Sequence, residues 1–235
     1  MVTIALSSSK GGCGKSTTVL ALASAFSSDG YTVRIIDADR SQRLFRWAQN
    51  GDPPKSVTVV HADERSLRSE VERARREVDV ILIDVEGSKN MTVTFAIGHS
   101  DVVIVPANPS APDVEDAIET VALIRDTADM TGRAIPHAIL WTRVPPAIRS
   151  REIAALENQV ETGGIPTIGR VFERTAYKSM YSFATTLDGL SADEVPGLEK
   201  AKAEAADLAQ RVAALIAGET HKEPTRQSKS KEKVG

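Results

Sequence analysis

The run Lys10-Gly11-Gly12-Cys13-Gly14-Lys15-Ser16-Thr17 combines the residue types that hold a polyphosphate. Its glycines let the backbone curl until several N–H groups point inward, and the start of the helix that follows adds positive dipole. Lys15 then supplies charge to β and γ phosphates, and the Ser16 hydroxyl is placed for Mg²⁺. Cys13 lies between two lysines beside a helix N-terminus, an electropositive setting that would make its thiol reactive; the alternative is a small residue that merely fits the loop.

Two acidic segments carry the complementary chemistry. Asp37-Ala38-Asp39 and Asp84-Val85-Glu86-Gly87 each follow a strand-like run, at the strand ends where open α/β sheets place ligands. A carboxylate there can hold the water shell of Mg²⁺ or orient an attacking water.

Such groups converge only if the elements behind them do. Short β-branched runs at Thr3 to Leu6, Thr32 to Ile36, Val57 to Val60, Val80 to Ile83, Val102 to Val105 and Ala138 to Trp141 read as strands buried on both faces. Between them, Ser16 to Phe26, Ser66 to Glu77, Val114 to Ala128 and Arg151 to Gln159 read as helices. Alternation of this kind predicts an α/β, doubly wound, mostly parallel sheet with helices on both faces. Near the end, Pro196 can start a helix and Gly218 stop it, with Leu198, Ala201, Ala205, Leu208 and Val212 on one face. We expect one domain over 1–218 and a disordered polar tail over 219–235.

Composition narrows the classes. At 41% hydrophobic and 26% charged residues, the chain has the balance of a globular protein, and no apolar run spans a bilayer. One cysteine excludes an internal disulfide, and His61, His99, His137 and His221 lack ligand spacing. No basic, apolar leader opens the sequence, so a cytoplasmic protein is expected. A net charge of −3 requires that any DNA binding come from one face.

The phosphate loop departs from G-x-x-x-x-G-K-[ST], because Ser9 stands where the first glycine belongs; it fits the deviant form K-G-G-x-G-K-[ST], whose extra lysine is Lys10. On these residues the chain resembles the ParA/MinD family of P-loop partition and positioning ATPases over nearly all of Met1 to Ala217. That resemblance implies ATP and Mg²⁺ as cofactors and a homodimer formed around ATP, with Lys10 reaching the partner's nucleotide. It further implies Asp39 as the water-positioning residue, Asp84 as the carboxylate behind Mg²⁺, Gly87 as a backbone donor to the γ-phosphate, and Arg143 among the nucleotide contacts. Pro106 to Ser110, Trp141 to Arg143, Arg174 to Lys178 and Leu187 to Gly189 are similar to small plasmid partition ATPases. Arg40-Ser41 replaces the usual Pro-Gln after Asp39, and Glu86 replaces a proline or small residue, departures that bear on hydrolysis rate.

The expectation is therefore a nucleoid-associated DNA partition ATPase, stimulated by a small centromere-binding ParB-type adaptor. Arg143, Arg149, Arg151, Arg170, Arg174 and Lys178 are candidate phosphate contacts to non-specific DNA, with Tyr177, Tyr181 and Phe183 as stacking or core residues. A MinD-like membrane role needs an amphipathic C-terminal anchor, and Lys222 to Gly235 offers only Val234 as a bulky apolar residue. A VirC-type role in conjugative DNA transfer shares the fold and the nucleotide chemistry; Asp37-Ala38-Asp39 with Arg46-Trp47 resembles that type as well.

Overall fold

A computed structural model of the protein describes residues 1–87, 90–146 and 151–218. Arg149, His221 and the predicted tail over 219–235 lie outside the described residues. The strands are β1 (Val2–Leu6), β2 (Val33–Ala38), β3 (Val57–His61), β4 (Val80–Val85), β5 (Val102–Ala107), β6 (His137–Val144) and β7 (Thr167–Phe172). They form one sheet in the order β3-β2-β4-β1-β5-β6-β7, and every neighbouring pair is parallel. The apolar runs read from the sequence coincide with β1 to β6. In β2, β4 and β5 every residue is buried, as strands covered on both faces require.

Strand β7 was not anticipated. Gly169 and Arg170 interrupt its apolar character, and it sits at the sheet edge with mixed burial and a register shift against β6.

The helices are α1 (Lys15–Ser28), α2 (Arg43–Gln49), α3 (Leu67–Glu77), α4 (Met91–Gly98), α5 (Ala111–Thr131), α6 (Arg151–Thr162), α7 (Thr175–Ser182) and α8 (Leu198–Ile216). One apolar layer packs α1, α2, α7 and α8 on one face of the sheet. The other packs α3, α4, α5 and α6 on the opposite face. The fold is the doubly wound α/β architecture expected. Helix α8 begins at Leu198 after a left-handed Gly197, two residues beyond Pro196, and buries Leu198, Ala201, Ala205, Leu208 and Val212 as its periodicity indicated. Short helices α2, α4 and α7 carry too few turns for periodicity to reveal them. No described helix is long and apolar enough to cross a membrane.

Register decides what the sheet positions. Asp84 in β4 lies level with Leu6 of β1 on one side and Asp37 of β2 on the other. The phosphate loop, the Asp37–Asp39 turn and the Asp84–Gly87 turn therefore leave the sheet side by side at its C-terminal edge.

Candidate nucleotide site

Gly14 precedes α1 in left-handed backbone, φ 94°, and a Cβ there would lie 3.2 Å from Thr142 Cβ. The loop needs glycine at this position for both reasons. Thr142, at the end of β6, donates its hydroxyl to Cys13 O at 2.7 Å and so ties the loop to a strand far along the chain. Gly87 makes a second close approach: a Cβ there would stand 3.1 Å from Lys10 C and 3.3 Å from Gly11 N. Loop and β4 turn thus pack backbone against backbone.

Lys15 is 93% removed from solvent, and its ammonium donates to Lys10 O at 3.1 Å. Lys10 turns the other way. Its ammonium meets Asp113 Oδ2 at 3.2 Å, and Asp113 is further bound by Asn108 Nδ2 at 3.1 Å and by the Ser110 hydroxyl. Cys13 is buried, its thiol directed at Lys10 O at 3.4 Å. Its burial favours the plain reading of Cys13 as a small residue that fits the loop over a reactive thiol: the side chain lies beneath the loop.

Ser16 Oγ donates to Asp84 Oδ2 at 2.5 Å, while Asp84 Oδ1 is buried without a partner among the described residues. Burial raises the Asp84 carboxyl to about 7, against the opposing pull of the Ser16 hydrogen bond and Lys15. A hydroxyl and a carboxylate with one unmet buried oxygen are hard donors suited to Mg²⁺, so the residues present fit that ion. Asp39 behaves differently. Burial works to raise its carboxyl, but the Ser41 hydroxyl and N–H, Lys15 and Arg43 together hold it below the ordinary range, so it is ionised at neutral pH. Asp37 is buried and accepts N–H groups from Asp39, Leu44 and Phe45 at 3.1, 2.8 and 2.9 Å, which fixes the turn that presents Asp39.

Above the loop lies a cavity of about 370 Å³ lined by Gly11, Gly12, Gly14, Lys15, Ser16, Asp39, Glu86 and Gly87. A second lobe of about 440 Å³ continues past the loop between Thr142, Phe172, Arg174, Tyr177 and Tyr181. Gly14, Thr17, Arg43 and Arg143 border both, so the lobes form one cleft, polar where the loop curls and flanked by rings farther out. The departures at Arg40 and Glu86 join each other in an ion pair of 3.3 Å, with Glu86 bordering the first lobe.

The candidate DNA residues divide. Arg170 is paired with Glu157 at 2.7 Å and Arg174 with Glu204 at 2.7 Å, each largely buried. Both are committed inside the molecule, which withdraws them from a DNA-facing set. Lys178 is exposed, pairs with Glu173 and borders the second lobe, as Arg143 does. Arg151 is exposed and borders neither lobe. Tyr177 is core, its hydroxyl 3.1 Å from Glu204; Tyr181 is partly buried, which raises its hydroxyl to about 12; Phe183 is exposed. Sequence reading assigned no role here to Asp113, Arg43 or Glu204, nor to Thr142 apart from its motif, because only the folded sheet brings Asp113 and Thr142 to the loop, Arg43 to the cleft and Glu204 to the outer wall of the second lobe.

A family model described as VirC1 protein matches residues 1–217. Among curated relatives, Protein ParA of Rhizobium radiobacter is 31% identical over 83% of this chain and 88% of its own length. Protein virC1 of the same organism is 29% identical over 73% and 76% respectively. The solved septum site-determining protein MinD of Pyrococcus horikoshii OT3, complexed with Mg-ADP, superposes with a TM-score of 0.67 at 19% identity, covering 93% of this chain and 98% of that one. That likeness speaks to the fold.

Proposed function

The chain belongs to the VirC1 protein family, which brings it among the ParA/MinD-like ATPases, and from that premise we propose that it is an ATP-dependent DNA partition ATPase. The observation that carries the reading is the meeting of four groups at one sheet edge: the deviant phosphate loop, Asp39, the Ser16–Asp84 pair and Gly87. In this reading the backbone of Gly11, Gly12, Cys13, Gly14, Lys15, Ser16 and Thr17 cradles the phosphates of ATP, and Lys15 neutralises them. Gly87 donates to the γ-phosphate, and Arg143 contacts the nucleotide where the two lobes join. Ser16 and Asp84 hold Mg²⁺, which supplies positive charge to the phosphate oxygens when bound. Asp39, ionised and fixed by its turn, orients the water that attacks the γ-phosphate.

Lys10 completes the site across a dimer. Its present partner, Asp113, is on its own subunit, so reaching a second subunit's nucleotide requires that this pair open. The ATP-bound homodimer then binds DNA without sequence preference, works in the cytoplasm on the nucleoid, uses no membrane, and is released when a small centromere-binding ParB-type adaptor stimulates hydrolysis. Size-exclusion chromatography with ATP, ADP and no nucleotide tests the core of this. Wild type should dimerise with ATP alone; Lys10→Ala should bind ATP as a monomer and fail to dimerise. A wild type that stays monomeric with ATP rules out the sandwich, and dimers of Lys10→Ala like those of wild type rule out the trans role.

The family match and the virC1 relative favour a second reading, a VirC-type ATPase assisting conjugative DNA transfer. The nucleotide chemistry is the same. Deleting the gene separates the two: partition loses plasmid retention at normal transfer, and transfer assistance loses conjugation at normal retention.

A further inference from the structure

Arg43 opens α2 directly after Gln42, a residue in left-handed backbone with φ 50°. Such backbone is uncommon outside glycine and is kept where the surroundings over-determine it. Here they do. Gln42 N–H donates to Asp39 O at 2.9 Å, Arg46 N–H donates to Gln42 O at 2.9 Å, and the buried Asp37 carboxylate accepts from Leu44 and Phe45. The turn is pinned on both sides, and its consequence is the placement of one side chain.

That side chain borders both lobes of the cleft. It makes neither a hydrogen bond nor an ion pair with a described residue, although its charge helps hold the Asp39 carboxyl low. Arg143, itself left-handed at φ 51°, borders the same two lobes. The first lobe otherwise presents the carboxylates of Asp39 and Glu86, of which, among the described residues, Glu86 alone has a guanidinium partner, Arg40. A polyphosphate entering there adds negative charge beside Asp39. Lys15 offsets it from below, and Arg43 is the cation placed to offset it from the Asp39 side, with a planar fork of N–H donors matched to phosphate oxygens.

We propose that Arg43 binds the polyphosphate chain of the nucleotide from within its own subunit, at the junction of the two lobes. The assignment rests on the nucleotide reading above. Calorimetric titration of MgATP and MgADP into wild type, Arg43→Gln and Arg43→Lys tests it. Glutamine keeps much of the stem and removes the charge, and should weaken both nucleotides about tenfold. Lysine keeps a charge without the fork and should lose about threefold. The dependence of affinity on salt should flatten in Arg43→Gln, since one ionic contact is gone. Equal affinities for wild type and Arg43→Gln would overturn the proposal while leaving ATP binding intact. A fall in affinity matched by a fall in the nucleotide-free thermal midpoint of both variants would overturn it too, because the loss would then be structural. A wild type that binds neither nucleotide would overturn the nucleotide reading and this assignment together.

Discussion

Asp39 and Asp84 are carboxylates at the same sheet edge with opposite environments. Asp84 is fully buried with one oxygen on Ser16 and one unmet, whereas Asp39 is held ionised by Ser41, Lys15 and Arg43. Environments that push two acids apart assign them different tasks. The first suits a metal shell and the second suits a water, so removing Asp39 should spare binding. Asp39→Ala is expected to keep MgATP affinity within about threefold and to slow single-turnover ADP formation by about 10²-fold or more, in the range of a lost general-base contribution. ADP formation at the wild-type rate would remove Asp39 from the reaction. Lys15→Ala differs in kind. Its ammonium is buried within the loop, where in the proposed reading it directly faces the phosphates, so ATP binding itself should be lost in the same titration. At this scale the sequence was most legible where chemistry is contiguous: Lys10 to Thr17 can be read in one glance. Asp113, Thr142 and Arg43 could not, because the first two reach the loop from more than a hundred residues away and the third depends on a left-handed Gln42 that no residue type announces.

Among the elements, α8 does more than cover the sheet. Its Glu204 accepts the Phe172 N–H at 2.8 Å, two donors of Arg174 at 2.9 and 2.7 Å, and the Tyr177 hydroxyl at 3.1 Å. Phe172, Arg174 and Tyr177 all border the second lobe, so one buried carboxylate fixes that wall of the cleft. Glu204→Ala would strand a guanidinium that is only 20% exposed, a loss on the order of 3 kcal/mol. For a chain of this size that corresponds to a fall in thermal midpoint of about 6 to 12 °C. Arg174→Ala with Glu204→Ala should cost less than the sum of the single changes, since the pair leaves together. Melting curves of the three variants decide this; additive losses would mean that the two residues act independently. The same wall explains where element prediction stopped. Strands β1, β2, β4 and β5 are apolar runs that would be strands in any buried sheet. β7 is held instead by β6 and by Glu204, and its Gly169 and Arg170 make sense only beside Arg211 and Glu157.

At the scale of the whole molecule, charge must be distributed before it can bind anything. The chain carries 29 basic and 32 acidic residues, so attraction to DNA depends on which cations are uncommitted. Arg170 and Arg174 are paired with Glu157 and Glu204, and Arg143 and Lys178 border the cleft, which leaves Arg151, at the start of α6, as the exposed candidate away from the cleft among the described residues. If the proposed DNA binding uses that face, two substitutions should behave in opposite ways. Arg151→Ala should weaken binding of the ATP-bound protein to DNA equally for all sequences, and should reduce the slope of log affinity against log salt by about 0.9, one phosphate's share of released counterions. It should leave the thermal midpoint unchanged, because the side chain is exposed and forms no ion pair with another described residue. Arg170→Ala should lower the midpoint by removing the 2.7 Å ion pair to the buried Glu157, and should leave the salt slope where it was. Fluorescence anisotropy on labelled DNA across a salt series, with ATP and with ADP, reads both. A slope that falls for Arg170→Ala and not for Arg151→Ala would mean that the Arg170–Glu157 pair opens on DNA, and the binding face would then be the β7 edge rather than α6.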